Sequence, residues 1–361
     1  MAQKKRIEYI DCIKGFCILW VVTIHLGENL PDWIMVPYRM PLFFFMSGIF
    51  FSYKPFKPFL IRKINTLIIP LLFFLFIPFC IHFLREIILP NITPIFSKVS
   101  PPYTYKLIGQ ITTLTNVYNE YVNEPFRLNS VLWFLLALFN IQIIFYGLKT
   151  FFKQTYTLAI LSVLLTIIGE ICIQNNINGL FFIPVSLRFF MYYTFGSLFG
   201  KRLIDFITSR QNAKKIIFIC LPILIVITFL DFSTSSYYIQ KLDSTIRTFL
   251  FIPVAFVFFK EFYHLRIFKP IIFFGKNSLI ILGIHRILFW LFMFIVFKFR
   301  PDIQNSAILT SYPFYACMFI FTCSIGYFAI LFFNKYFPYF VAKKDLIKLM
   351  PKRNAIPEIA K

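Results

Sequence analysis

The chain has 361 residues, of which 59% are hydrophobic, 21% aromatic and only 14% charged. Soluble domains carry about 25% charged residues, and no soluble core of this length hides 52 Phe and 19 Tyr, so the composition excludes a soluble globular protein and points to lipid as the solvent. The formal charge of +22 lies in short clusters between apolar runs, the pattern of basic loops beside membrane spans and not of a nucleic-acid-binding face.

A crossing helix needs about 20 largely apolar residues. The runs that approach this are 10–26, 36–53, 64–89, 130–148, 155–173, 180–199, 216–230, 247–259, 279–297 and 312–333. They predict an all-α, polytopic membrane protein of about ten spans. The basic Lys4, Lys5 and Arg6 precede the first run without a small-residue cleavage site, so the first run reads as a retained signal anchor. Of the 37 Lys and Arg, 25 fall in connections on one side, nine on the other and three inside runs. That bias predicts cytoplasmic N and C termini, which an even number of crossings satisfies. The organisation expected is a transmembrane domain over 1–340 with an outer loop at about 90–129, then a basic cytoplasmic tail over 341–361. The outer loop reads either as an acceptor-binding lid or as a connector. No internal repeat of the inverted-repeat transporter kind is apparent. The seven dispersed cysteines, without CxxC spacing, read as small core residues.

Ionisable groups inside a membrane are costly, and each is a candidate for function. The first run carries Asp11, Lys14 and His25. At about 100° per residue, the eleven-step interval from Lys14 to His25 returns to within about 20° of one helix face, roughly 16 Å further along. Asp11 and Lys14, three apart, can pair on that face. A cation at the inner mouth suits the phosphates of a donor such as coenzyme A. A histidine deeper on the same face suits removal of a proton from a hydroxyl attacking a thioester. Glu28, one turn on, is placed to orient the ring. The plainer alternatives are that Lys14 snorkels to the interface, that Asp11 only neutralises it, and that His25 is interfacial.

Elsewhere, Arg39, Trp133, Arg188 and Arg247 are expected in the outer halves of their spans, level with His25, as candidates to bind an acceptor or a reacting oxyanion. Trp133 is equally an aromatic-belt residue. Arg188 lies about eight residues into its run, which suggests a polar cavity, and Arg247 is expected at the outer end of a short helix. His285 and Arg286 lie about seven residues into the ninth run, nearer the cytoplasmic side, and read either as donor contacts or as an interhelical hydrogen bond. His82 and His264 read as structural. There is no Gly-rich phosphate loop, serine elbow or metal triad in the sequence.

Several segments resemble the membrane-bound acyltransferase family 3. They are Tyr-Ile-Asp-Cys-Ile-Lys-Gly at 9–15, His25, and Arg-Met-Pro-Leu-Phe-Phe-Phe-Met-Ser-Gly at 39–48. They continue with Leu-Trp-Phe-Leu-Leu-Ala-Leu-Phe at 132–139, Phe-Gly-Ser-Leu-Phe-Gly-Lys at 195–201 and Gly-Lys-Asn-Ser-Leu-Ile-Ile-Leu-Gly-Ile-His at 275–285. The opening block is most similar to the fucose 4-O-acetylase-like branch. The resemblance implies a ten-helix domain of the bacterial cytoplasmic membrane, with acetyl-CoA as a cytoplasmic donor and no permanently bound cofactor. It implies His25 as the catalytic base (or an acyl carrier) and a sugar hydroxyl of an envelope polysaccharide or its lipid-linked precursor as acceptor. Lys14 stands where the family often has arginine and lacks that residue's bidentate fork. No soluble hydrolase-like domain is expected after the helices. Two other functions on the same scaffold are a glycan exporter or flippase and a catalytically silent assembly component.

Overall fold

The computed structural model describes residues 7–27, 38–88, 130–177, 180–230 and 235–348. Glu28, the whole of the expected outer loop at 90–129 and the end of the basic tail lie outside the described residues, as do the side chains of Arg85 and His82. Among the described residues every regular element is a helix. Apart from four short 3-10 turns, these are in chain order α1 (Glu8–Ile24), α2 (Arg39–Ile49), α3 (Phe56–Lys63), a π-helical turn (Ile64–Ile68) and α4 (Ile69–Ile88). There follow α5 (Trp133–Phe151), α6 (Thr155–Gln174), α7 (Ile183–Arg188), α8 (Phe190–Phe206), α9 (Arg210–Phe229) and α10 (Tyr237–Phe262). The last three are α11 (Phe268–Lys276), α12 (Ser278–Phe299) and α13 (Tyr312–Tyr336).

Among the described residues each of the ten apolar runs contributes helix, but they do not make ten equal spans. Seven of the described helices are long and apolar enough to cross a membrane. The other three runs give shorter pieces: α1 has 17 residues, α2 has 11, and the run at 180–199 is broken. There Phe181 and Phe182 adopt left-handed backbone, with φ of 53° and 58°, a conformation that bulky residues rarely take. Pro184 then opens the six-residue α7, and a second break at Phe189 precedes α8. The eighth run is longer than its apolar part suggested. The polar residues before Arg247 are helical, so α10 starts at Tyr237 and Arg247 sits inside it instead of at its end.

The periphery shows what composition foretold. On α9, Phe218 and Phe229 are 76% and 83% exposed, which only an apolar surrounding accommodates. Inside, α1 divides the core. Ile18, Val21 and Val22 pack into one cluster with residues of α4, α5, α8 and α12, whereas Ile10, Ile13 and Cys17 pack into a second with residues of α9, α10 and α11. Between α1 and α11 the backbones touch. A Cβ added at Gly15 would strike the Ile271 carbonyl, and one at Gly275 would strike the Asp11 carbonyl. Gly48 and Gly196 let α2 and α8 meet in the same way. Such close contacts compensate for the missing hydrophobic drive between helices in lipid. Replacing Gly275 with valine is therefore expected to lower the detergent melting temperature by several degrees, through about 1–3 kcal/mol of overpacking or more. Thermal melts of the purified variant check this.

Candidate active site

The periodicity of α1 brings Lys14, Ile18 and Val21 to one wall of a cavity of about 190 Å³. Met40, Phe43 and Ser47 of α2, Thr66 and Leu67 of the π turn, Phe134 and Leu138 of α5, and the opening of α12 complete it. Lys14 and the hydroxyl residues Ser47, Thr66 and Ser278 are its polar lining, and Lys14 Nζ lies 5.1 Å from the centre of the Phe50 ring. Apolar side chains supply the rest. Asp11 is 3% exposed and lies at the α1–α11 contact, outside the cavity lining.

His25 follows one turn beyond Val21, as the C-cap residue of α1. Its Nδ1 is 2.7 Å from the Val21 carbonyl oxygen. A carbonyl only accepts, so Nδ1 carries the proton and Nε2 is left with a lone pair. The ring meets His285, with centroids 5.4 Å apart and planes at 66°. His285 repeats the same device: its Nδ1 donates to the Ile281 carbonyl at 2.9 Å. It is fully buried, and its Nε2 has no hydrogen-bond partner among the described residues. The guanidinium groups of Arg39 and Arg286 both act electrostatically on His25.

The meeting of His25 with His285 differs from the level expected for the ninth span. Its position early in the run alone puts His285 nearer the inner side. The reason for the difference is α11, which folds Gly275 against Asp11 and so starts α12 well up the first helix, where Ser278 shares a cavity with Lys14. Seven further residues, about 10 Å of helix, carry His285 to His25.

The remaining candidates fall outside this pair. Arg188 forms an ion pair with Glu170 at 2.8 Å and donates to the Tyr237 hydroxyl at 2.8 Å, and Tyr237 donates to the same carboxylate at 2.7 Å. The expected polar cavity at Arg188 is thus a clamp joining α6, α7 and α10. Arg247 pairs with Asp243 at 2.7 Å and donates to the Leu230 carbonyl at 3.0 Å. Trp133 stacks on Phe189, with centroids 5.9 Å apart. Glu170 escaped the sequence reading, although an acidic residue within an apolar run is itself the signal.

The sequence matches the acyltransferase domain of the acyltransferase 3 family over residues 7–340. The chain belongs to that family. No curated protein and no solved structure matches it. Every resembling segment noted in the sequence falls inside the matched range, and the structure draws several of them together. The segment at 9–15 packs on the one opening at Gly275, and the segment at 39–48 packs on the one at 195–201. Membership makes this multi-helix membrane protein an acyltransferase.

Proposed function

We propose that this family 3 acyltransferase moves an acetyl group from cytoplasmic acetyl-CoA to a sugar hydroxyl of an envelope polysaccharide or its lipid-linked precursor. On this reading it forms ten crossings in a bacterial cytoplasmic membrane, with both termini inside. The observation that carries the proposal is the single stripe Lys14–Ile18–Val21 along the cavity, ending one turn short of an imidazole whose Nε2 is free to accept a proton.

Lys14 attracts the donor's phosphates, and the apolar walls hold the thioester arm without water. His25 Nε2 takes the proton from the acceptor hydroxyl as its oxygen bonds to the thioester carbonyl carbon. The oxyanion formed is stabilised by the positive field of Arg39 and Arg286. Its collapse breaks the C–S bond, and the departing thiolate recovers the proton from His25. The acetyl ester and free thiol leave, and the enzyme returns unchanged.

The test is to supply radiolabelled acetyl-CoA to membranes holding the protein and follow label into extracted glycan. Label in an alkali-labile glycan fraction supports the proposal. Glycan export without acetyl transfer replaces it with a flippase, and thioester turnover excludes a silent assembly component. Replacing Lys14 with alanine is expected to raise KM for acetyl-CoA about tenfold, the loss of one charge-assisted contact, whereas arginine retains donor binding. Steady-state kinetics at varied donor concentration check this.

A further inference from the structure

The π turn that supplies one wall of the cavity is met by a piece of chain that comes from the far end of the sequence. Beyond α13, the segment from Phe337 to Lys348 doubles back. Lys343 N and Lys344 N both donate to the Pro338 carbonyl, at 2.9 and 3.0 Å, and Ala342 takes a left-handed backbone with φ of 57°. Phe340 stacks on Phe73 of α4, with centroids 5.0 Å apart, and Val341 is 2% exposed. The segment ends on Asn65, in the π turn. Asn65 is 2% exposed and makes three hydrogen bonds with backbone 281 or 282 residues away. Its Nδ2 donates to the Ile347 carbonyl at 2.9 Å, and its Oδ1 accepts from Leu346 N at 3.0 Å and Ile347 N at 2.9 Å.

The two residues after Asn65, Thr66 and Leu67, form one wall of the cavity. The same terminal stretch also reaches the opposite wall. Asn334 donates to Asn277 at 2.9 Å and Lys343 Nζ to the Lys276 carbonyl at 3.1 Å, just before Ser278 and Leu279. The end of α13 and the strap after it thus tie together the two walls that carry Thr66 and Ser278. A π turn inside a helix is a rare irregularity, frequent at functional sites. Here it turns Asn65 to the strap while its neighbours face the cavity.

We infer that Asn65 is a positioning residue for the donor site, acting through the π turn and the C-terminal strap to hold the cavity wall at Thr66 and Leu67 in its binding shape. The role assigned to the cavity rests on the proposed acetyl-CoA chemistry; the latch itself does not. The substitutions Asn65→Ala and Leu346→Pro attack the two ends of the latch. Leu346 is 47% exposed, so the second variant removes one N–H donor without disturbing the core and decides the matter where Asn65→Ala does not fold.

The experiment uses the full chain in inside-out vesicles, with Thr66→Cys as reporter and a membrane-impermeant maleimide as probe. Background from the native cysteines is subtracted with the chain lacking the reporter. Either latch variant is expected to speed labelling at position 66 about fivefold or more, and to raise KM for acetyl-CoA about fivefold with kcat within about twofold, the net worth of one or two lost hydrogen bonds. Labelling unchanged in the folded Leu346→Pro protein overturns the latch, as does faster labelling with KM unaltered in an active enzyme. A general loss of kcat and melting temperature, with KM unmoved, also overturns it. The maleimide measurement needs no donor, so a chain that never turns over acetyl-CoA refutes the proposed function and leaves the labelling result to judge the latch by itself.

Discussion

On the proposed mechanism, replacing His25 with alanine is expected to lower kcat for acetyl transfer by about 10²–10⁴-fold, the range general-base catalysis supplies. The expectation follows from the ring's fixed chemistry. Donation from Nδ1 to the Val21 carbonyl at 2.7 Å holds one tautomer, and the lone pair it leaves at Nε2 belongs to an imidazole, whose ordinary pKa lies near neutrality. Alanine keeps the helix, because His25 is the C-cap of α1 and its side-chain hydrogen bond runs only to its own helix, at the Val21 carbonyl. Membrane insertion and the melting temperature are therefore expected to stay near those of the parent. Glutamine keeps size and polarity but cannot take up a proton, so it should be nearly as inactive as alanine. Turnover of radiolabelled acetyl-CoA by purified protein in lipid, beside a melt of each variant, gives the answer. A His25→Ala protein that acetylates at the parent rate removes His25 from the mechanism. If donor binding is held by the Lys14 end of the cavity, KM for acetyl-CoA in residually active variants will move far less than kcat.

What the sequence disclosed of this site is what a single helix can disclose. The alignment of Lys14 with His25 depends only on the turn of one α-helix, and the cavity wall at Lys14, Ile18 and Val21 follows that face. The helices themselves were legible because apolar runs of this length have few alternatives in lipid. The breaks were not. Left-handed Phe181 and Phe182 carry no local signal, since phenylalanine is a poor choice for that conformation. The helical stretch from Tyr237 to Arg247 was hidden by its polarity, although Asp243 and Arg247, four apart, are a pairing that helices favour. Nor could spacing show that α11 folds against α1, which is what brings His285 to His25. The glycines at 15 and 275 stand in the resembling segments, but only the fold shows them opposite each other. Asn65 was the least legible of all. Its partners lie at the other end of the chain, and an asparagine after Arg62 and Lys63 reads locally as the polar margin of a span.

His285 presents a case where stability and activity pull in opposite directions. Its Nε2 is buried and meets no hydrogen-bond partner among the described residues, and an unsatisfied buried acceptor costs about 1–3 kcal/mol. Groups kept at such a cost concentrate at functional positions. A use is at hand, because when His25 takes the hydroxyl proton its Nε2 becomes a donor. A ring with centroid 5.4 Å away offers an acceptor for that proton-bearing ring or for a hydroxyl held between the two. Substituting phenylalanine at 285 keeps a flat ring against His25 and removes the orphaned nitrogen. The Ile281 carbonyl lies within α12 and keeps its place in the helical ladder. His285→Phe is therefore expected to melt at a higher temperature, by a few degrees for about 1 kcal/mol, while kcat drops about 10- to 100-fold. KM for acetyl-CoA should change little, since His285 lies beyond the cavity end where Lys14 stands. Melting curves and acetyl-transfer rates on the same preparation decide it. A variant that is both more stable and fully active would make His285 a packing residue. One that is less stable and inactive would show that the buried nitrogen is satisfied in the folded protein. Gain of stability with loss of turnover is the signature of an acceptor held in reserve for the reaction, which makes the imidazole pair, and not His25 alone, the unit that handles the proton.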